Sequence, residues 1–264
     1  MKIFDPHIHT PTQSDDDLEN LRYFGTEKVV TTAYGGRSHQ TATELIDYFE
    51  ELVGDECRRL RRHGLDPHVA LGVDPEARPR RAHPEVWDAL AAMLERRGVV
   101  ALGEIGVWED RDDQWELFRR QVRIARRVGP LPILVTPPEK LKITLTYKMM
   151  NWLESSGYPT SLVVVTSLDE RLLENVVESG FCVGYPVGSA TNDPRRVGPH
   201  IREVLRRVEG GDKIMLSTAL RSSGGDLLGV PKTIEALDEA GVDEGIIRQM
   251  VYANAVRLFE TGGG

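Results

Sequence analysis

The stretch Leu162-Val163-Val164-Val165-Thr166-Ser167 is apolar at every position until it ends in two hydroxyls. Successive side chains of a strand point to opposite faces of its sheet, so a strand made of this run must be covered on both sides. Sheets buried on both faces are parallel sheets flanked by helices. Seven more runs, most of the same character, recur at roughly 30-residue intervals, at 2–5, 28–33, 68–73, 99–104, 132–136, 181–185 and 213–217. Helix patterns fill the gaps. Asp15-Asp16-Asp17 places acids where a helix N-terminus is positive. Residues 41–62 form a long amphipathic stretch that stops at Gly64, and Pro84 suits a first helical turn. Leu117, Val122, Ile124 and Ala125 fit a helix buried along one side.

Eight β-then-α units predict a single-domain (β/α)8 barrel over residues 1–261, with the glycines at 262–264 as a flexible tail. The competing doubly wound sheet often carries a glycine-rich dinucleotide loop after its first strand. Here His7 and His9 occupy that place.

Composition narrows the function. The 264 residues are 40% hydrophobic and 28% charged, as in ordinary globular proteins. No apolar run approaches the ~20 residues of a membrane span, and the chain enters its first strand without a signal-peptide pattern. The only cysteines, Cys57 and Cys182, are far apart, which fits reduced thiols in a cytoplasmic protein. A net charge of -8 argues against a broad nucleic-acid-binding surface but leaves room for a local anion pocket. Paired arginines such as Arg58-Arg59 and Arg119-Arg120 read as solvated helix faces.

Active sites of this fold lie at the C-terminal ends of the strands. The first strand ends in Asp5-Pro6-His7-Ile8-His9, whose alternating imidazoles face one side. Alone, the pair reads equally as a polar turn or as the start of a metal site. Glu104 tips the balance, because a carboxylate ending an apolar run between Gly103 and Gly106 has no packing role. Two nitrogens and one oxygen meeting in a barrel mouth suit one zinc or a similar divalent ion. Asp74 either adds an oxygen from the third strand or merely opens an Asp-Pro turn. The remaining strand ends offer Thr31, Thr32 and Tyr34, then Thr136 with Lys140, then Thr166 and Ser167, Tyr185, and Ser217-Thr218.

Together these motifs resemble the TatD-like metal-dependent hydrolases of the amidohydrolase superfamily, in the branch found in archaea and some bacteria. The likeness rests on Asp5-Pro6-His7-Ile8-His9, Gly72-Val73 before Pro75, Gly103-Glu104-Ile105-Gly106 and the segment 132–140. It continues through residues 226–233 and Asn254-Ala255 before Leu258-Phe259. It implies a barrel whose one- or two-metal centre activates water against a phosphodiester or related bond. Four departures accompany it. Asp74 stands where the family usually has histidine, Val135 and Ser167 where it has histidine ligands, and Thr218 where it has the aspartate that serves as ligand and base.

The expectation is therefore a reduced centre of His7, His9 and Glu104, with Glu104 or Asp74 taking a proton from water. Lys140 and Arg221 would hold an anionic group, and Thr136, Ser167, Tyr185 and Thr218 would hydrogen-bond a small molecule at the mouth. Weak or lost activity follows, and a non-catalytic barrel that binds a small molecule or a protein is the alternative. A phosphoesterase of the polymerase-and-histidinol-phosphatase type also starts with His-x-His, but His63, His68, His83 and His200 fall away from the C-terminal strand ends, and His39 lies in a loop.

Overall fold

The computed structural model describes residues 1–33, 39–75, 84–168, 170–188, 192–209, 211–221 and 224–261. Tyr34, His83 and the 262–264 tail lie outside the described residues. Eight strands form one sheet in sequence order: β1 (Ile3–Ile8), β2 (Thr26–Thr32), β3 (Asp66–Leu71), β4 (Val99–Ile105), β5 (Ile133–Val135), β6 (Val163–Thr166), β7 (Cys182–Pro186) and β8 (Ile214–Ser217). Every neighbouring pair is parallel. The ring closes just beyond β8, where the Ala219 N–H donates to His7 O and the His9 N–H to Leu220 O, both at 3.0 Å. This is the (β/α)8 barrel, and its closing seam runs through the histidine motif.

Helices return the chain between strands. α1 (Asp15–Tyr23) starts in a capping box, with Ser14 and Asp17 each satisfying the other's backbone N–H. α2 (Ala42–Glu51) continues through a π-helical turn (Leu52–Glu56) into α3 (Cys57–Arg62), so the long helix expected at 41–62 is present. α4 (Pro84–Leu94), α5 (Asp112–Val128), α6 (Lys142–Ser155), α7 (Glu170–Glu178) and α8 (Pro194–Arg207) follow. After β8 come α9 (Gly229–Glu239), α10 (Glu244–Arg248) and α11 (Asn254–Phe259). The helices bury their apolar stripes on the sheet, which accounts for strands such as β6, buried throughout. A smaller cluster of Ile8, Leu18, Leu21, Val29, Leu60, Leu65 and Leu220 packs α1 and α3 over the closing seam.

Strand ends match expectation within one or two residues except in β1, which runs on from Asp5 to Ile8. Asp5 lies opposite Val29 and Ile8 opposite Thr31, so three residues advance against two. Pro6, which has no N–H to give, sits in that bulge.

Candidate metal centre

β1 and β4 bring His7, His9 and Glu104 together, all buried. Glu104 Oε2 lies 3.5 Å from His7 Nε2 and 3.3 Å from His9 Nε2. Two donors sharing one tetrahedral zinc at about 2.0–2.1 Å would stand about 3.3 Å apart, so the spacing fits a common ion. Both nitrogens of the fully buried His7 ring lack a hydrogen-bond partner of good geometry. At His9, Nδ1 is 3.0 Å from Thr32 Oγ1. With Nδ1–H donating there, the Nε2 lone pair faces Glu104.

The electrostatics point the same way. Burial pushes His9 down to about 4, so its ring is neutral at physiological pH. Burial alone would raise the Glu104 carboxyl, but the adjacent His7 and His9 rings and the Thr136 hydroxyl outweigh it and hold Glu104 well below the usual carboxylate range. Glu104 is thus ionised in the interior, and among the described residues no Lys or Arg pairs with it. Two imidazoles, of which His9 is neutral at physiological pH, compensate a buried carboxylate only in part, and a cation held by all three side chains would complete the compensation. A second cluster, Asp66, His68 and Glu260, lies at the opposite end of the barrel. There Lys28 already pairs with both carboxylates, so the cation is built in.

The other expected residues are distributed unevenly. Asp74 is buried at the same end but stands outside the three-residue cluster. Val135 is buried and apolar, and Ser167, at φ 54°, ends β6 in a left-handed turn. Thr136, Lys140, Ser167 and Arg221 line a cavity of about 290 Å³ at the mouth, together with Trp108, Pro137, Pro138, Glu109 and Glu139. Tyr185 is fully buried and Thr218 is sealed against Asp5; the structure brings neither to this cavity. Asp5 accepts the Thr218 hydroxyl at 2.5 Å, the Thr218 N–H at 3.2 Å and the His7 N–H at 3.1 Å.

Several supporting side chains were not expected. Gln121, on α5, grips Val73 from both sides, accepting its N–H at 2.7 Å and donating to its carbonyl at 2.9 Å, which fixes the chain before Asp74. Gln114 accepts the N–H groups of Trp108 and Glu109 at 2.6 and 2.9 Å and so sets the loop after β4. Lys142, half-buried behind the cavity lining, donates to Ser167 O at 3.0 Å. Glutamines on amphipathic helices carry no sequence signal of this kind, whereas Trp108, polar-tipped and four residues beyond Glu104, was open to notice.

The family described as TatD-related DNase matches residues 4–260. An uncharacterized metal-dependent hydrolase of Methanocaldococcus jannaschii is 26% identical over 96% of this chain and 98% of its own length. The crystal structure of a TatD-like protein from Archaeoglobus fulgidus superposes with a TM-score of 0.78 at 25% identity, covering 97% of this chain and 99% of that one. A lactonase from Listeria monocytogenes shares the fold, with a TM-score of 0.72 at 13% identity over 98% and 94% of the two chains. The chain belongs to the TatD-related DNase family of metal-dependent hydrolases.

Proposed function

We propose that this protein is a metal-dependent hydrolase with a mononuclear centre, and that it acts on a small anionic ester, a phosphodiester or a related bond. The observation that carries the reading is Glu104, held ionised and buried between two imidazoles, with no Lys or Arg paired to it among the described residues. Zinc suits two nitrogens and one carboxylate oxygen. A divalent cation there supplies positive charge that polarises the scissile group and acidifies water. His7, His9 and Glu104 would hold it, and Thr32 orients His9. Val135 and Ser167 offer nothing comparable to a second ion.

Substrate placement falls to Lys140 and Arg221. Both carboxylates at the cavity rim are engaged by other cations, Glu109 with Arg111 at 2.8 Å and Glu139 with Lys142 at 3.3 Å. Among the described residues, Lys140 and Arg221 make no ion pair, so the cavity favours an anion. Arg221 is close enough for its charge to disfavour protonation of His9. Asp74, a buried carboxylate just after β3, is the candidate that would take the proton from water, since Glu104 would be committed as a ligand. The two buried cysteines fit a reducing, cytoplasmic setting.

A second reading, a barrel that binds without turnover, draws on Thr218, whose hydroxyl is committed to Asp5 and which has no group to accept a proton. Turnover of 4-nitrophenyl phosphate and bis(4-nitrophenyl) phosphate by zinc-loaded protein separates the two. Hydrolysis that Asp74→Asn abolishes while metal content is kept supports the hydrolase. No turnover with metal bound supports the binding barrel.

A further inference from the structure

We propose that the mouth cavity recognises an anion attached to a flat aromatic or similarly apolar ring, with Trp108 as the specificity-determining residue. This rests on the reading of the barrel mouth as the substrate site.

Three observations converge on it. First, the cavity has an apolar wall beside its cations. Trp108 comes from the loop after β4, and Pro137 and Pro138 come from the loop after β5. None of the three has a flexible side chain, so a ring held against them loses little to ordering of the wall.

Second, Trp108 is held in place. Gln114, itself buried, accepts the backbone N–H groups of Trp108 and Glu109. Gly106 lets the loop lie close against β5: a Cβ there would sit 2.3 Å from Thr136 O and 3.5 Å from Trp108 Nε1. The indole therefore stands beside Thr136, whose hydroxyl also acts on Glu104. An anion on Lys140 and Arg221 and a ring on Trp108 can then belong to one small molecule, because all three residues line one cavity whose volume of about 290 Å³ accommodates a substituted ring.

Third, unusual backbone gathers at this mouth. Among the described residues, the non-glycine residues with positive φ are Leu141, Ser167 and Ala219, at 56°, 54° and 47°. Ser167 lines the cavity, Leu141 follows the lining residue Lys140, and Ala219 precedes Leu220-Arg221. Left-handed backbone is disfavoured for such residues and is retained where surrounding structure imposes it, often at ligand sites. Leu141 also leaves a large apolar side chain 62% exposed, next to the cavity.

The test measures binding of phenylphosphonate and methylphosphonate by calorimetry. It uses the chelator-treated His7→Ala, His9→Ala double variant, so that metal coordination plays no part. The expected result is at least tenfold tighter binding of phenylphosphonate, with the preference lost in Trp108→Ala and largely kept in Trp108→Phe. Lys140→Ala with Arg221→Ala should weaken both ligands. Thermal unfolding of each variant reports whether it is folded, and ligand-induced protection of the Trp108 indole resonance in NMR gives a second readout on protein that needs no substitution at Trp108. Equal binding of the two phosphonates, or a preference that survives Trp108→Ala in folded protein, overturns the proposal. If the unmodified protein binds no metal, the hydrolase reading fails while this test still gives its own answer.

Discussion

Thr218 donates its hydroxyl to a buried carboxylate oxygen of Asp5 at 2.5 Å, and its backbone N–H reaches the same group. The residue that follows β8 is thereby tied to β1 through the carboxylate that also accepts the His7 N–H, where the barrel closes. The position that the family resemblance assigns to a catalytic aspartate holds part of a structural clamp.

Removing the clamp should cost stability. Asp5→Ala leaves the Thr218 hydroxyl, the Thr218 N–H and the His7 N–H without their shared acceptor, so a loss of about 2–4 kcal/mol is expected. Thr218→Val removes one donor and should cost about 1–2 kcal/mol. Urea unfolding measures both, and an Asp5→Ala loss under ~0.5 kcal/mol would show that the seam does not depend on this carboxylate.

Asp5 also predicts a pH dependence. Burial raises its carboxyl from 3.8 to about 6, against the lowering effect of its hydrogen bonds. The folded state then holds this proton more tightly than the unfolded state does, so the group's contribution to stability falls as pH rises from 3.8 to about 6. Chelator-treated wild type should show this downward component, and Asp5→Asn should lack it. Parallel stability curves for the two proteins across that window would contradict the assignment.

The grip of Gln121 on Val73 gives a third expectation. Gln121→Leu keeps volume but strips Val73 of a donor and an acceptor in the interior, so it should destabilise by about 1–3 kcal/mol. Backbone hydrogen exchange at Val73 should accelerate locally. An unchanged rate there would mean that β3 holds its own end.

Rebuilding the fuller ligand set tests the reduction of the centre. Val135→His, Ser167→His and Thr218→Asp should raise metal stoichiometry from about one toward two. Histidine is tolerated at the φ of 54° found at Ser167. The Thr218→Asp step puts a second carboxylate against Asp5, so the triple variant should be less stable than wild type without metal and regain stability when metal is added. Thermal unfolding with and without zinc reads this directly; a triple variant whose stability ignores zinc contradicts it.

The barrel was legible because doubly buried strands and their spacing are properties of the chain alone. Leu162 to Thr166 reads as a covered strand whatever surrounds it, and β6 begins one residue later. His7, His9 and Glu104 were legible for a related reason: charged or polar groups ending apolar strands have few structural uses. What did not show was the direction of individual side chains beyond the strand ends. Tyr185 and Thr218 looked available, yet closure of the ring buries one and commits the other to Asp5. β1 outran its expected end because a bulge at Pro6 lets pairing resume at Ile8. Gln114 and Gln121 act on backbone groups far from them in sequence, and no local pattern marks such contacts.

Metal content tests the central claim most directly. Elemental analysis of purified wild type, beside the His7→Ala, His9→Ala double variant, should find about one divalent ion per chain in the first and essentially none in the second. Two tightly held ions in wild type, or equal metal in both proteins, would contradict a mononuclear centre built on His7, His9 and Glu104.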